Sequence, residues 1–188
     1  QHSAAARGSE SAERPAILFG QQVWMARGHE QAIALLGGLD IPGYFNGAAR
    51  GVLPPGDPHH FDRTRSKAFD KADVIVVIGT PFDFRMGYGR RLPQGATVVQ
   101  IDMDYRTVGK NRDVDLGLVG DPGAILAAVT QASSGRVQKA GDRKAWFAEL
   151  RTDRTLAQPI EPLTPREEEV LITVARGRTN AEIADELH

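Results

Sequence analysis

Cysteine is absent from the 188 residues, which excludes a disulfide framework and any thiolate metal site. A surplus of one charge sign is absent too. Lys and Arg number 23 against 24 Asp and Glu, a formal net charge of -1, so no global field draws the chain to nucleic acid or a membrane surface. No apolar run approaches the roughly 20 residues that span a bilayer, and the N-terminus has no signal-peptide core. A cytoplasmic protein without a membrane partner is expected. No P-loop, HExxH or Ser–His–Asp order occurs. The turn after the first apolar run, Gly20-Gln-Gln-Val-Trp-Met-Ala-Arg-Gly28, is not GxGxxG. His59 and His60 are adjacent with no third ligand at suitable spacing, so no metal site is expected there. No catalytic residue is assigned.

What remains is an alternation of short apolar runs and helical periods. Strands are expected over residues 16–19, 41–46, 73–78, 97–101 and 115–119. The run DVIVVI at 73–78 is β-branched and unbroken, as in a strand covered on both faces. Helices are expected over 29–39, with Ala32, Leu35, Leu36 and Leu39 as a stripe, and over 61–71, with Phe61 and Ala68 on one face. A further helix is capped by Asp121 with Pro122 in its first position, and a short amphipathic one over 143–151 carries Trp146, Phe147 and Leu150. This βαβ rhythm predicts an α/β fold with an open, mostly parallel, doubly wound sheet, Rossmann-like. Residues 1–14 read as a flexible linker, 15–151 as the main domain, 152–162 as a second linker and 163–188 as a short all-helical appendage.

Ligands of such sheets bind beyond the carboxyl ends of the strands, so the segments after each strand are the candidate sites. Arg50 sits in the glycine-rich stretch Asn46-Gly-Ala-Ala-Arg-Gly51. Gly79 ends the third strand and is followed by Asp83 and Arg85, which suit either a local ion pair or a ligand's polar groups. Asp102 and Met103 close the fourth strand, where an acid can accept from a ribose or an adenine amino group. Asp121 is expected to be a helix cap first and a ligand contact second.

The order of these segments resembles the central domain of thiamine-diphosphate-dependent enzymes of the acetolactate synthase family. The quoted stretches are NGAARGVLPPGDPHHF, RSKAFDKADVIVVIGTPFDFRMGYG and VVQIDMDYRTVGKNRDVDLGLVGD. The match covers about residues 15–151. The resemblance implies a six-stranded doubly wound domain holding FAD in a structural role, or ADP, with contacts at Gly79, Asp83, Arg85, Asp102, Met103 and Asp121, and Arg50 as an addition. Two departures leave FAD and ADP both open. Pro81 stands where flavin-binding members usually carry Arg, and PHHFDRTRSK at 58–67 replaces their flavin-contacting loop. Thiamine diphosphate and magnesium belong to the full-length enzyme. No GDG motif is present, so the chain alone is expected to be inactive, with other thiamine-enzyme domains or subunits as partners. A monomer or weak dimer is expected.

Residues 163–188 resemble the first half of a LuxR/GerE-type helix-turn-helix. Thr164, Pro165 and Glu167 form one capping box, Gly177 a stop, and Thr179 and Glu182 a second box. With the recognition helix absent before His188, phosphate contact is conceivable through Arg166, Arg176 or Arg178, but base reading is not. The alternatives are therefore a LuxR-type transcriptional regulator with a nucleotide-sensing domain, or an inactive truncated fusion, the chain beginning at Gln1 rather than Met.

Overall fold

The computed structural model describes residues 12–133 except 55 and 62, residues 143–155, and positions 164, 165, 169, 172, 173 and 185. The chain divides into two compact units, Gln1–Arg154 and Thr155–His188. The first is an α/β domain. Its strands are β1 (Pro15–Phe19), β2 (Gly43–Phe45), β3 (Val74–Ile78), β4 (Thr97–Asp102) and β5 (Leu116–Val119). All four pairings are parallel, in the order β2-β1-β3-β4-β5. The sheet is five-stranded among the described residues, and the sixth strand implied by the resemblance is not among them.

Alternate residues along each strand face opposite sides, and both sides are covered. Ile17, Phe19, Val74, Val76, Ile78, Val99, Ile101 and Leu118 pack on one side with α2 (His29–Leu39) and α4 (Pro122–Ser133). Ala16, Leu18, Tyr44, Ile75, Val77 and Val98 pack on the other with α3 (Arg65–Lys71) and α5 (Arg143–Thr155). The doubly wound arrangement follows from the unbroken apolar runs, since a strand read by both layers cannot alternate with polar residues.

The departures from the sequence reading are local. A five-residue helix, α1 (Gln21–Met25), follows β1, too short to carry a visible period. The helix expected from residue 61 begins at Arg65. Phe61 lies before it and is buried, because its N–H donates to Gly43 O at 2.9 Å and extends the β2 edge. The helix expected to end at residue 151 runs to Thr155. The last residues of the expected N-terminal linker are fastened. Ala12 enters the core, and the N–H groups of Glu13 and Arg14 donate to Asp73 Oδ2 and Oδ1 at 2.7 and 3.1 Å. Residues 1–11 and 156–163 lie outside the described residues.

The second unit is a short helical appendage. Within it Thr173 Oγ1 donates to Glu169 O at 2.7 Å, a bond back to the preceding turn. The two capping boxes read from the sequence fall mostly outside the described residues. No helix among the described residues is long and apolar enough to cross a membrane.

Candidate functional site

The chain passes from β1 to β2 on one side and then returns to β3 on the other, so the direction of winding switches between β1 and β3. Gly20 and Gly79 occupy the two strand ends at this switch. They approach so closely that a Cβ on Gly20 would lie 2.3 Å from Gly79 O, while one on Gly79, at φ +66°, would lie 2.6 Å from the Cβ of Gln22. Only glycine meets both demands.

Gln22, which the sequence reading passed over, ties three strand ends together. Its Nε2 donates to Asp102 Oδ1 at 2.9 Å, and its Oε1 accepts from Met103 N at 3.0 Å. Asp102 Oδ1 also accepts from Asp104 N at 2.8 Å. Asp102 is fully buried, and its Oδ2 has no hydrogen-bond partner. Gly120 N donates to Asp102 O at 3.0 Å, which sets Asp121 at the neighbouring position beyond β5. Asp121 caps α4, accepting from Ala124 N at 2.8 Å. Gly79, Asp102, Met103 and Asp121 therefore line successive strand ends, the first three linked through Gln22, whose own N–H donates to Gly79 O at 3.4 Å.

Asp83 and Arg85 close on each other. The guanidinium meets the carboxylate through three hydrogen bonds, the shortest 2.5 Å, and Asp83 also accepts from Arg85 N at 2.9 Å. These bonds hold the Asp83 carboxyl below the usual range. The following loop is held from β4 and beyond. Gln100, fully buried, accepts from Gly109 N, and Asn111, at φ +72°, donates to Phe82 O at 2.9 Å. Arg112 reaches the carbonyls of Gly89, Leu92 and Pro93. The glycine and asparagine of the VGKN stretch thus shape a loop.

Arg50 lies apart from the strand-end group, on a 3-10 turn (Gly47–Gly51) after β2. It opens into a cleft of about 490 Å³ with Tyr44, Phe45, His60, Arg63, Arg65 and Ser66. A second cleft of about 540 Å³ contains Arg85 and shares Arg65 and Ser66 with the first. Arg65 Nη1 donates to Asn46 Oδ1 at 2.6 Å. Burial, then the charge of Arg50, lower the Arg65 pKa. Tyr44 is buried beneath, its phenol pushed up by desolvation against a 3.2 Å hydrogen bond with Thr64. The sequence reading placed 63 and 65 within a helix over 61–71. Their proximity to Arg50 arises only when the β2–α3 connection folds over the strand end. Among the described residues no group of three His, Asp or Glu could hold a metal ion.

Known proteins resemble this chain in two parts. The family "Thiamine pyrophosphate enzyme, central domain" matches residues 3–129, and "Bacterial regulatory proteins, luxR family" matches residues 161–188. The acetolactate synthase large subunit of Mycobacterium tuberculosis is 36% identical over 151 residues, covering 80% of this chain and 26% of that protein. Human 2-hydroxyacyl-CoA lyase 2 is 31% identical over 145 residues, covering 74% of this chain and 22% of the relative. The crystal structure of benzoylformate decarboxylase from Polynucleobacter necessarius superposes with a TM-score of 0.58 at 21% identity, over 70% of this chain and 26% of that one. The chain thus spans about a quarter of the length of the proteins it matches.

Proposed function

Because the chain belongs to the thiamine pyrophosphate enzyme central-domain family, among acetolactate-synthase-like enzymes, we propose that it is the nucleotide-holding central unit of such an enzyme and is not catalytic alone. The observation that carries this reading is Asp102. A buried carboxylate oxygen without a donor is costly, of the order of 1–3 kcal/mol or more. Asp102 Oδ2 is in that position at the carboxyl end of β4, beside the switch in winding. A ribose hydroxyl supplies the missing donor.

FAD and ADP both contain the adenosine diphosphate moiety, so both satisfy Asp102. Gly79, Met103 and Asp121 are the accompanying contacts we propose. Asp83 and Arg85 are proposed as outer contacts, whereas Arg50, on the turn after β2, is not counted among them. Asp83 and Arg85 already satisfy each other, so a ligand gains less there than at Asp102.

Thiamine diphosphate and magnesium do not fit the described residues, which offer no carboxylate cluster for the metal and no pyrimidine-activating glutamate that the sequence singles out. We derive no chemical step through them and place them in other domains or subunits of the enzyme. In this reading the unit positions a cofactor and its neighbours, and the reaction belongs to the assembly.

Thermal melting with ADP and with FAD tests the proposal. Either ligand should raise the midpoint, and Asp102→Asn should remove most of the rise while leaving the ligand-free melt cooperative. No rise with either ligand would eliminate the nucleotide reading. Acetolactate formed from pyruvate by this chain with added thiamine diphosphate and magnesium would contradict the absence of catalysis.

A further inference from the structure

We propose that the cleft beyond β2 is a separate binding site for a small phosphate-bearing ligand, gripped by Arg50, Arg63 and Arg65. The argument does not depend on whether a nucleotide sits at Asp102.

Three guanidinium groups converge on one cleft of about 490 Å³, with His60 and Ser66 beside them. Among the described residues no carboxylate pairs with Arg50, Arg63 or Arg65. Elsewhere in the domain the exposed arginines that follow an Asp by two positions are neutralised by it, as with Arg85 and Arg106. Like charges gathered with no counter-ion among the described residues repel, and the Arg50 charge adds to the larger effect of burial in lowering the Arg65 pKa. An anion removes the repulsion.

Geometry narrows the anion. Arg65 is fixed by the 2.6 Å bond to Asn46 Oδ1, so one fork is preset, and planar forks match phosphate oxygens in pairs. Arg50 and Arg63 are exposed and free to close from either side. Ser66 offers a hydroxyl. The site is concave and of metabolite size, which suits a small molecule better than a polynucleotide backbone running over a convex surface. The residues involved, His60 to Ser66, lie in the stretch that departs from the flavin-binding pattern. A polar, tricationic wall is unfavourable to an apolar ring system and favourable to a diphosphate or phosphomonoester.

Inorganic pyrophosphate is the probe. Calorimetric titration into the full 188-residue chain should give saturable binding at a single site that weakens with added salt. Arg63→Ala and Arg50→Ala should each weaken it about tenfold or more, as expected for losing a charge-assisted bond. Arg63→Lys should recover part of the loss. Both side chains are exposed, so circular dichroism should show unchanged folding. Lys110→Ala removes an exposed charge on a different loop and should leave the affinity unchanged. The proposal is overturned by non-saturable binding, by equal weakening in Lys110→Ala, or by full affinity in both arginine-to-alanine variants.

Discussion

Asp102 and Asp104 stand two residues apart at the end of β4, and their carboxylates are held in different ways. Asp102 is buried, with one oxygen bonded by Gln22 and Asp104 N and the other unpartnered. Asp104 faces solvent and is gripped by Arg106 at 2.8 to 3.1 Å. Those hydrogen bonds, with the Arg106 backbone N–H and then nearby charges, bring the Asp104 carboxyl down to about 2. A carboxyl lowered on folding from its ordinary value of about 3.9 favours the folded state above that value. The contribution fades as pH falls through the interval to about 2. Carbon-detected NMR titration of Asp104 should therefore give a midpoint near 2, and Arg106→Ala should move it back toward the ordinary value. A midpoint that stays put in the variant would assign the effect to the backbone instead. At this scale the candidate positions were legible only where a residue's place on its own strand sets them. Gly79, Asp102 and Asp121 could be named from strand ends alone. Gln22 could not, because its partner is 80 positions away. Arg63 and Arg65 had the signal of basic residues in a departing loop, but their shared cleft with Arg50 is a tertiary fact.

At the scale of elements, α5 shows how a short amphipathic stretch becomes part of the core. Trp146, Phe147 and Leu150 face the sheet and are nearly or fully buried. Trp146 Nε1 donates to Pro15 O at 3.1 Å, serving a buried carbonyl at the start of β1. Arg151 lies over the rings of Phe147 and Phe61 at 5.4 and 5.9 Å. The exposed side adds the Lys71–Glu149 pair at 2.5 Å, an interaction of the class worth roughly 0–1 kcal/mol. Burial should therefore dominate. Leu150→Ala should cost about 2–5 kcal/mol. Trp146→Phe should cost somewhat less, about 1–3 kcal/mol for the abandoned carbonyl plus the lost volume. Exposed Lys144→Ala should stay within about 0.5 kcal/mol. Urea unfolding of the three variants gives the ranking, and a Lys144→Ala loss equal to that of Leu150→Ala would refute it. The strands and longer helices were readable because apolar runs and the 3.6 period are local. The helix α1 and the 3-10 turns were not, since five residues hold no period. The start of α3 was misplaced because Phe61 serves the β2 edge, a choice made by pairing with Gly43 and not by its own periodicity.

For the whole molecule, the two units are a test of where stability resides. Among the described residues, both core clusters on the sheet, with their large buried side chains, are complete by Leu150. The division falls after Arg154, near the end of α5, so a cut there removes no described residue of either cluster. The luxR-family match lies wholly beyond it, at 161–188, whereas the thiamine-enzyme match ends at 129. A domain that buries its apolar surface within itself should fold without an appended segment. A chain ending at Arg154 should therefore melt in one cooperative transition within a few degrees of the 188-residue chain, an offset of about 1 kcal/mol or less. It should also keep its pyrophosphate binding, because the three arginines of the cleft lie on residues 50–65. Ending the chain at Arg143 instead removes Trp146, Phe147 and Leu150 from beneath β1 and β3 and should abolish cooperative melting. If the chain ending at Arg154 failed to fold while the full chain did, the appendage would have to carry part of the core, and the family boundary drawn from the two matches would not be a folding boundary.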